Sequence, residues 1–299
     1  MKRKSGLKYN RRIEMSKVAI VTDSTAYIPT ELIKNYPVFS APLQVLWDEK
    51  VYLDGIEIHP EEFYKRLEHA KTMPSTSQVT PTAFLSLYED LLREGYDILS
   101  IHISQKLSGT LDSAIQAKAQ LPGARIELFD STTTSMSMGF QVMAAARAAA
   151  LGASLEECAA IAGKARDHTG ILFTAATLEF LHRGGRIGGA AKFLGTALNL
   201  KPILEVRDGR IEAVERVRNI NKALDRMLEL TLRRIDKRTP IRIAAVHAND
   251  PDNAKMLVER ARQHFNVSEV SEAYISDVSP VIGTHTGPGT VGIAFMAGM

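Results

Sequence analysis

The chain of 299 residues holds one cysteine, Cys158, so no intramolecular disulfide can form and a reducing compartment is expected. Cys158 lies in an alanine-rich, helix-like stretch and reads as a small core residue. No apolar run approaches the roughly 18 residues that a membrane-spanning helix needs. The N-terminal segment also lacks the apolar core of a signal peptide. The histidines show no metal-ligand spacing and the carboxylates form no cluster, so nothing points to a metal. No Gly-x-Ser-x-Gly elbow marks a serine hydrolase, and no Gly-Lys-Ser/Thr closes a phosphate loop. Repeats and low-complexity segments are not evident.

Charge excludes a further class. The formal charge is +3, but residues 1–14 carry Lys2, Arg3, Lys4, Lys8, Arg11 and Arg12 against Glu14, a net +5 that leaves −2 for the rest. The body therefore gives no argument for nucleic acid. Residues 1–15 are expected to be a poorly packed extension, with a polybasic membrane or nucleic-acid contact as the alternative. Met15, just before the first strand, is a candidate second start.

What is present is an ordinary apolar content of 45%, enough for a sizeable core, on a length that suggests two domains. Strand and helix alternate through the first half. Val18-Ala19-Ile20-Val21-Thr22, residues 98–103 and Arg125-Ile126-Glu127-Leu128-Phe129 are buried-strand patterns. Phe84, Leu87, Tyr88, Leu91 and Leu92 mark one face of a helix that Thr80 caps and Pro81 opens. Ser154 and Glu157 match a capping box. Residues 38–47 are apolar but broken by Pro42, and Val51-Tyr52-Leu53 is expected to pair back as a hairpin. This alternation predicts an α/β fold with a parallel sheet flanked by helices in an N-terminal domain, residues 16–168. In residues 169–299 a strand at 171–175, a hairpin turning at Asp208-Gly209, and strands near 241–246, 273–275 and 291–295 predict an α/β domain with a mixed sheet.

Several predicted strands end in hydroxyl-rich loops, and ligands of open α/β sheets bind outside the carboxyl ends of strands. These loops are Asp23-Ser24-Thr25, Ser104-Gln105-Lys106-Leu107-Ser108-Gly109-Thr110 and Asp130-Ser131-Thr132-Thr133. Met73-Pro74-Ser75-Thr76-Ser77-Gln78 adds a polar connector between two helices. Asp23, Ser24 and Thr25 either cap the first helix or line the strand-end crevice. In Gly185-Arg186-Ile187-Gly188-Gly189 a guanidinium stands among glycines, which suits carboxylate or phosphate. Residues 283–290, with His285 and Thr286 among glycines, read as a loop forming a nest of N–H groups. Taken singly, each of these is also ordinary capping or turn chemistry. Together they supply hydroxyls, one arginine and one histidine without a convincing acid–base pair, an inventory that suits binding an anionic head group.

With these loops in place the chain resembles the DegV family. The stretches that carry the resemblance are Val21-Thr22-Asp23-Ser24-Thr25, Pro74-Ser75-Thr76-Ser77-Gln78, Lys106-Leu107-Ser108-Gly109-Thr110, Gly185-Arg186-Ile187 and His285-Thr286-Gly287-Pro288-Gly289-Thr290, in family order from about Lys17 onward. The family pattern Thr-Ser-Gln-Pro is altered here by Val79, and the basic tail lies outside it. The resemblance implies a cytoplasmic, two-domain protein with a long-chain fatty acid between its domains and no cofactor. Such proteins are the non-catalytic lipid-binding subunit of bacterial fatty acid kinase. They present the carboxylate to a separate ATP-dependent kinase subunit, which makes acyl phosphate for phospholipid synthesis, with transient membrane contact for lipid exchange. By position, Thr76 and Ser108 are expected on the carboxylate, with Ser75 and Ser104 nearby and Gly109, Thr110 and Thr286 in the same loops. Arg186 and His285 are expected to face the phosphate. Two other readings stay open: lipid transport or sensing without phosphorylation, and an acyl hydrolase or transferase using Ser108 with His285.

Overall fold

The computed structural model describes residues 17–195, 200–265 and 268–299, so the expectation for residues 1–15 lies outside the described residues. The chain begins with β1 (Lys17–Asp23) and β2 (Val38–Ala41), then forms three short strands, β3 (Gln44–Trp47), β4 (Lys50–Leu53) and β5 (Ser75–Ser77). β6 (Tyr96–His102) and β7 (Ile126–Asp130) follow. Strands β2-β1-β6-β7 pair in that order and all in parallel. Their continuous apolar runs are those of a sheet covered on both faces; β1 is buried along six of its seven residues.

Pro42 separates β2 from β3, and the chain changes sheets there. β3 lies centrally in an antiparallel sheet of order β4-β3-β5. The connector at residues 73–78 is therefore partly strand: Thr76 pairs with Val45 and Ser77 with Gln44. Helix Pro81–Arg93 leads into β6, with Thr80 Oγ1 accepting from Ala83 N–H at 3.2 Å. Its fully buried stripe is Phe84, Tyr88 and Leu91, while Leu87 and Leu92 are half-buried, so the apolar face is narrower than its spacing suggests.

The second half forms β8 (Thr169–Thr174), β9 (Lys201–Arg207), β10 (Arg210–Val217), β11 (Ile241–His247), β12 (Val270–Asp277) and β13 (Val291–Ala297). They make one mixed sheet of order β10-β9-β8-β13-β11-β12, in which β11 and β12 are the parallel pair. The β9–β10 turn places Asp208 at φ 51° and Gly209 at φ 78°, the left-handed pair that matches hairpin twist.

Helix Ser135–Ala150 packs against β1 and β6 of the parallel sheet and against β8, β11 and β13 of the mixed sheet. Met136 and Phe140 join a core that includes Val21, Ile171 and Val246, whereas Met138 and Val142 pack with Ile20, Leu99 and Cys158. A helix enclosed on both sides shows a weak amphipathic pattern, and here that pattern is nearly apolar all round. Helix Leu155–His168 follows with its capping box formed, Ser154 and Glu157 exchanging bonds of 3.2 and 2.8 Å.

Direct bonds join the two sheet systems. Tyr64 Oη donates to the Val278 carbonyl at 2.9 Å from a fully buried position, and Ser276 Oγ donates to the Tyr27 carbonyl at 2.7 Å. Removing the Tyr64 hydroxyl leaves a buried carbonyl short of a donor. Tyr64→Phe should lower unfolding free energy by about 1–2 kcal/mol, read as a lower denaturant midpoint at unchanged slope. An unchanged midpoint contradicts the importance of this bond.

Candidate functional site

A cavity with about 890 Å³ of empty space, its open mouth included, lies between the ends of the parallel strands and the mixed sheet. Ile103, Leu107, Phe173, Val206, Ile211 and Val281 are among its apolar walls, drawn from both halves of the chain. Thr76, Ser77, Gln78, Ser108, Arg186, His285 and Thr286 also line it.

Separate sets of hydrogen bonds hold the polar residues in place. Thr76 Oγ1 lies 2.8 Å from His285 Nε2, across 209 positions of sequence. Arg186 is exposed, yet its guanidinium is held by the Leu107 carbonyl at 3.2 Å and the Gly184 carbonyl at 2.6 Å. This anchors it beside Ser108, whose Oγ is 2.9 Å from Thr110 Oγ1. His285 Nδ1 has no protein partner, and the ring packs so closely on Gly184 that a β-carbon there would collide with Nδ1. Burial, with Arg186 adding repulsion, pushes His285 down to about 4. The imidazole is consequently neutral at pH 7, and Arg186 supplies the positive charge.

Residues 283–290 are not a single loop. Gly283, Thr284, His285 and Thr286 belong to helix Pro280–Thr286, with Ser279 as N-cap. The N–H groups of Gly287 and Gly289 donate to the carbonyls of Gly283 and Ala248, at 2.8 and 2.7 Å. The expected nest for an anion is thus satisfied internally, and helical backbone aims His285 instead.

Four residues nominated from the sequence do not line the cavity. Ser75 is exposed on the edge strand β5. Ser104 is fully buried, donating to the Gly209 carbonyl at 2.9 Å and accepting from Lys106 N–H at 3.2 Å. Gly109 packs under the Gln78 carboxamide, where a β-carbon would approach Oε1 to 2.8 Å. Thr110 is buried behind Ser108, and its N–H donates to Ser108 Oγ at 3.3 Å. These residues shape and hold the loops that present Thr76 and Ser108. Thr286 does line the cavity, although its hydroxyl donates to the Ile282 carbonyl at 3.2 Å.

Asp23 caps the short helix Ser24–Ala26 and takes no part in the cavity. It is fully buried, accepting from Thr25 N–H and Oγ1, from Ile103 N–H at 2.8 Å, and facing His102 Nδ1 at 3.1 Å. Thr134 and Ser135 line the cavity although sequence reasoning misses them. The hydroxyl run after β7 extends through them and is the signal that identifies them. Among the described residues no group of His, Cys, Asp and Glu is placed to hold a metal.

A cavity whose lining combines apolar walls with hydroxyls, a neutral imidazole and a guanidinium has the chemistry to take an amphipathic molecule with an anionic head. The chain belongs to the DegV family: the family model, described as an uncharacterised protein of the DegV family, matches residues 17–298. A DegV domain-containing protein of Halalkalibacterium halodurans is 36% identical over 282 residues, covering 94% of this chain and 99% of the relative. Among solved structures, a DegV family protein from Thermus thermophilus described for its fatty acid binding is 38% identical with a TM-score of 0.87, covering 94% and 99% of the two chains. DegV of Bacillus subtilis, described as a fatty acid binding protein, is 34% identical with a TM-score of 0.84, covering 94% and 99%.

The state of His285 generates a pH dependence. Its folded pKa lies below its ordinary 6.5, so the stability it contributes is complete above pH 6.5 and is lost as pH falls towards 4. NMR titration of the lipid-free protein should place its midpoint near 4, and a bound anion should raise it. A midpoint at 6.5 or above without ligand contradicts this environment. Gly184→Ala should drive the ring off Thr76 and move the midpoint upward while the fold survives.

Proposed function

We propose that the cavity binds a long-chain fatty acid and that the protein presents its carboxylate to a separate ATP-dependent kinase subunit. The observation that carries the reading is the lining: Thr76, Ser108, Arg186 and neutral His285 share one cavity with walls such as Ile103, Leu107, Phe173 and Val281. Fatty acid binding described for the Thermus thermophilus and Bacillus subtilis relatives supports it.

Tail and head do different work. Burying a chain of about 16 carbons at roughly 0.8 kcal/mol per methylene yields on the order of 12 kcal/mol before ordering costs. Charge-assisted hydrogen bonds at the head add about 1.5–3 kcal/mol each. Affinity resides mainly in the tail, and the head group fixes which end faces out. In the complex the Thr76 hydroxyl donates to the carboxylate while His285 Nε2–H donates to Thr76 Oγ1. Ser108 donates the second bond. Arg186, exposed at the rim, compensates charge on the carboxylate and on the phosphoryl group arriving from ATP. The carboxylate oxygen attacks the γ-phosphorus, a new O–P bond forms, and ADP leaves as the bond to its oxygen breaks. The kinase subunit supplies the nucleotide site. This role belongs to a cytoplasmic protein that meets membranes transiently to exchange lipid, and a division of the chain into two domains near residue 168 places the lipid between them.

An acyl hydrolase would need His285 to serve Ser108 as base. Here His285 Nε2 is engaged by Thr76, and Ser108 Oγ by Thr110, which favours the binding role. Transport or sensing without phosphorylation uses the same cavity, and the partner kinase distinguishes it.

Thr76→Ala combined with Ser108→Ala should weaken fatty acid binding by roughly 100–10,000-fold, and acyl-phosphate formation by a larger factor. Near-total loss of affinity in a folded double variant contradicts the tail-dominated energetics. Arg186→Ala and His285→Ala should each retain lipid but lower acyl-phosphate formation with the kinase subunit. Unchanged turnover in both removes their assigned roles, and absence of any acyl phosphate with the wild-type pair favours transport or sensing.

A further inference from the structure

Two further hydroxyls line the cavity, on a different element from Thr76, Ser108, Arg186 and His285. Thr134 and Ser135 stand where the strand-end loop after β7 enters helix Ser135–Ala150, and both line the cavity. The two residues are 8% and 3% exposed, and neither Thr134 Oγ1 nor Ser135 Oγ has a hydrogen-bond partner. Thr134 occupies the N-cap position without capping the helix. The first-turn N–H groups of this 16-residue helix add donors there, because no preceding turn can accept from them. Ser135 is further held at φ 54°, a left-handed conformation that a non-glycine residue rarely adopts. Neither hydroxyl bonds to Thr76, His285, Ser108 or Arg186.

Buried hydroxyls normally find partners, and two adjacent unpaired ones in the wall of a ligand cavity call for one from the ligand. A plain alkyl chain offers none. Seating it expels water and leaves both hydroxyls unpaired, whereas an oxygen on the chain accepts from one and, as a hydroxyl, donates to the other. A site built to hydrogen-bond a ligand hydroxyl discriminates strongly against the analogue that lacks it.

We infer that this cavity selects oxygenated long-chain acids, whose in-chain hydroxyl or keto group pairs with Thr134 and Ser135. The inference rests on the fatty acid reading and narrows its ligand class. The donors at the mouth take the carboxylate, and the Thr134–Ser135 pair takes the chain oxygen.

The test uses the full-length, delipidated protein and a positional series of monohydroxy octadecanoic acids beside octadecanoic acid itself. At least one position should bind about tenfold or more tightly than the unsubstituted acid. In Thr134→Val with Ser135→Ala that ratio should collapse to about one. Thr134→Val alone, which preserves side-chain shape, should reduce the ratio if the double variant does not fold. No preferred position in the wild type, or a preference that survives Thr134→Val and the double variant, overturns the inference while leaving plain fatty acid binding intact. Failure to bind any member of the series, octadecanoic acid included, overturns the fatty acid reading and this inference with it.

Discussion

The 2.8 Å contact between Thr76 and His285 joins β5 of the first half to the short C-terminal helix Pro280–Thr286 of the second. For it to form, the imidazole must be desolvated and pressed against Gly184, and burial then keeps it neutral. The exposed guanidinium of Arg186 remains as the positive charge at the mouth, steadied by two backbone carbonyls. Orientation and charge are thereby assigned to different residues. A neutral imidazole can fix the direction of a hydroxyl without competing with Arg186 for the anion.

The same join depends on how the core is layered. Helix Ser135–Ala150 fills the space between the parallel and mixed sheets, and its buried faces are apolar apart from Ser135, Ser137 and Gln141. Its N-terminal end reaches the cavity, which therefore sits where the carboxyl ends of the parallel strands meet the mixed sheet. Long apolar walls and a compact polar mouth follow from that placement. In the proposed complex the walls provide affinity and the polar lining provides direction.

Much of this was legible in the sequence because it is local. The parallel strands announce themselves as short apolar runs, the Asp208-Gly209 turn as a hairpin, and Ser154 with Glu157 as a capping box. Other features depend on distant partners. Ser75–Ser77 has no strand pattern and becomes β5 by pairing with β3. Residues 283–286 look like a glycine-rich loop, yet Ser279 and Pro280 start a helix that absorbs them. Ser104 and Ser108 lie in one loop, and only the approach of Gly209 turns the first away from the cavity. Thr134 and Ser135 extend a hydroxyl run whose burial depends on the mixed sheet. Thr76, Ser108, Arg186 and His285, named through family resemblance, line one cavity, whereas the walls could not be separated from ordinary core.

The central claim is that this cavity holds a long-chain fatty acid. Mass spectrometry of the purified protein under non-denaturing conditions addresses it most directly. The account predicts one long-chain fatty acid retained per chain, released on denaturation and exchangeable for an added acid. A chain found at its own mass, which takes up no long-chain acid when titrated, would contradict it.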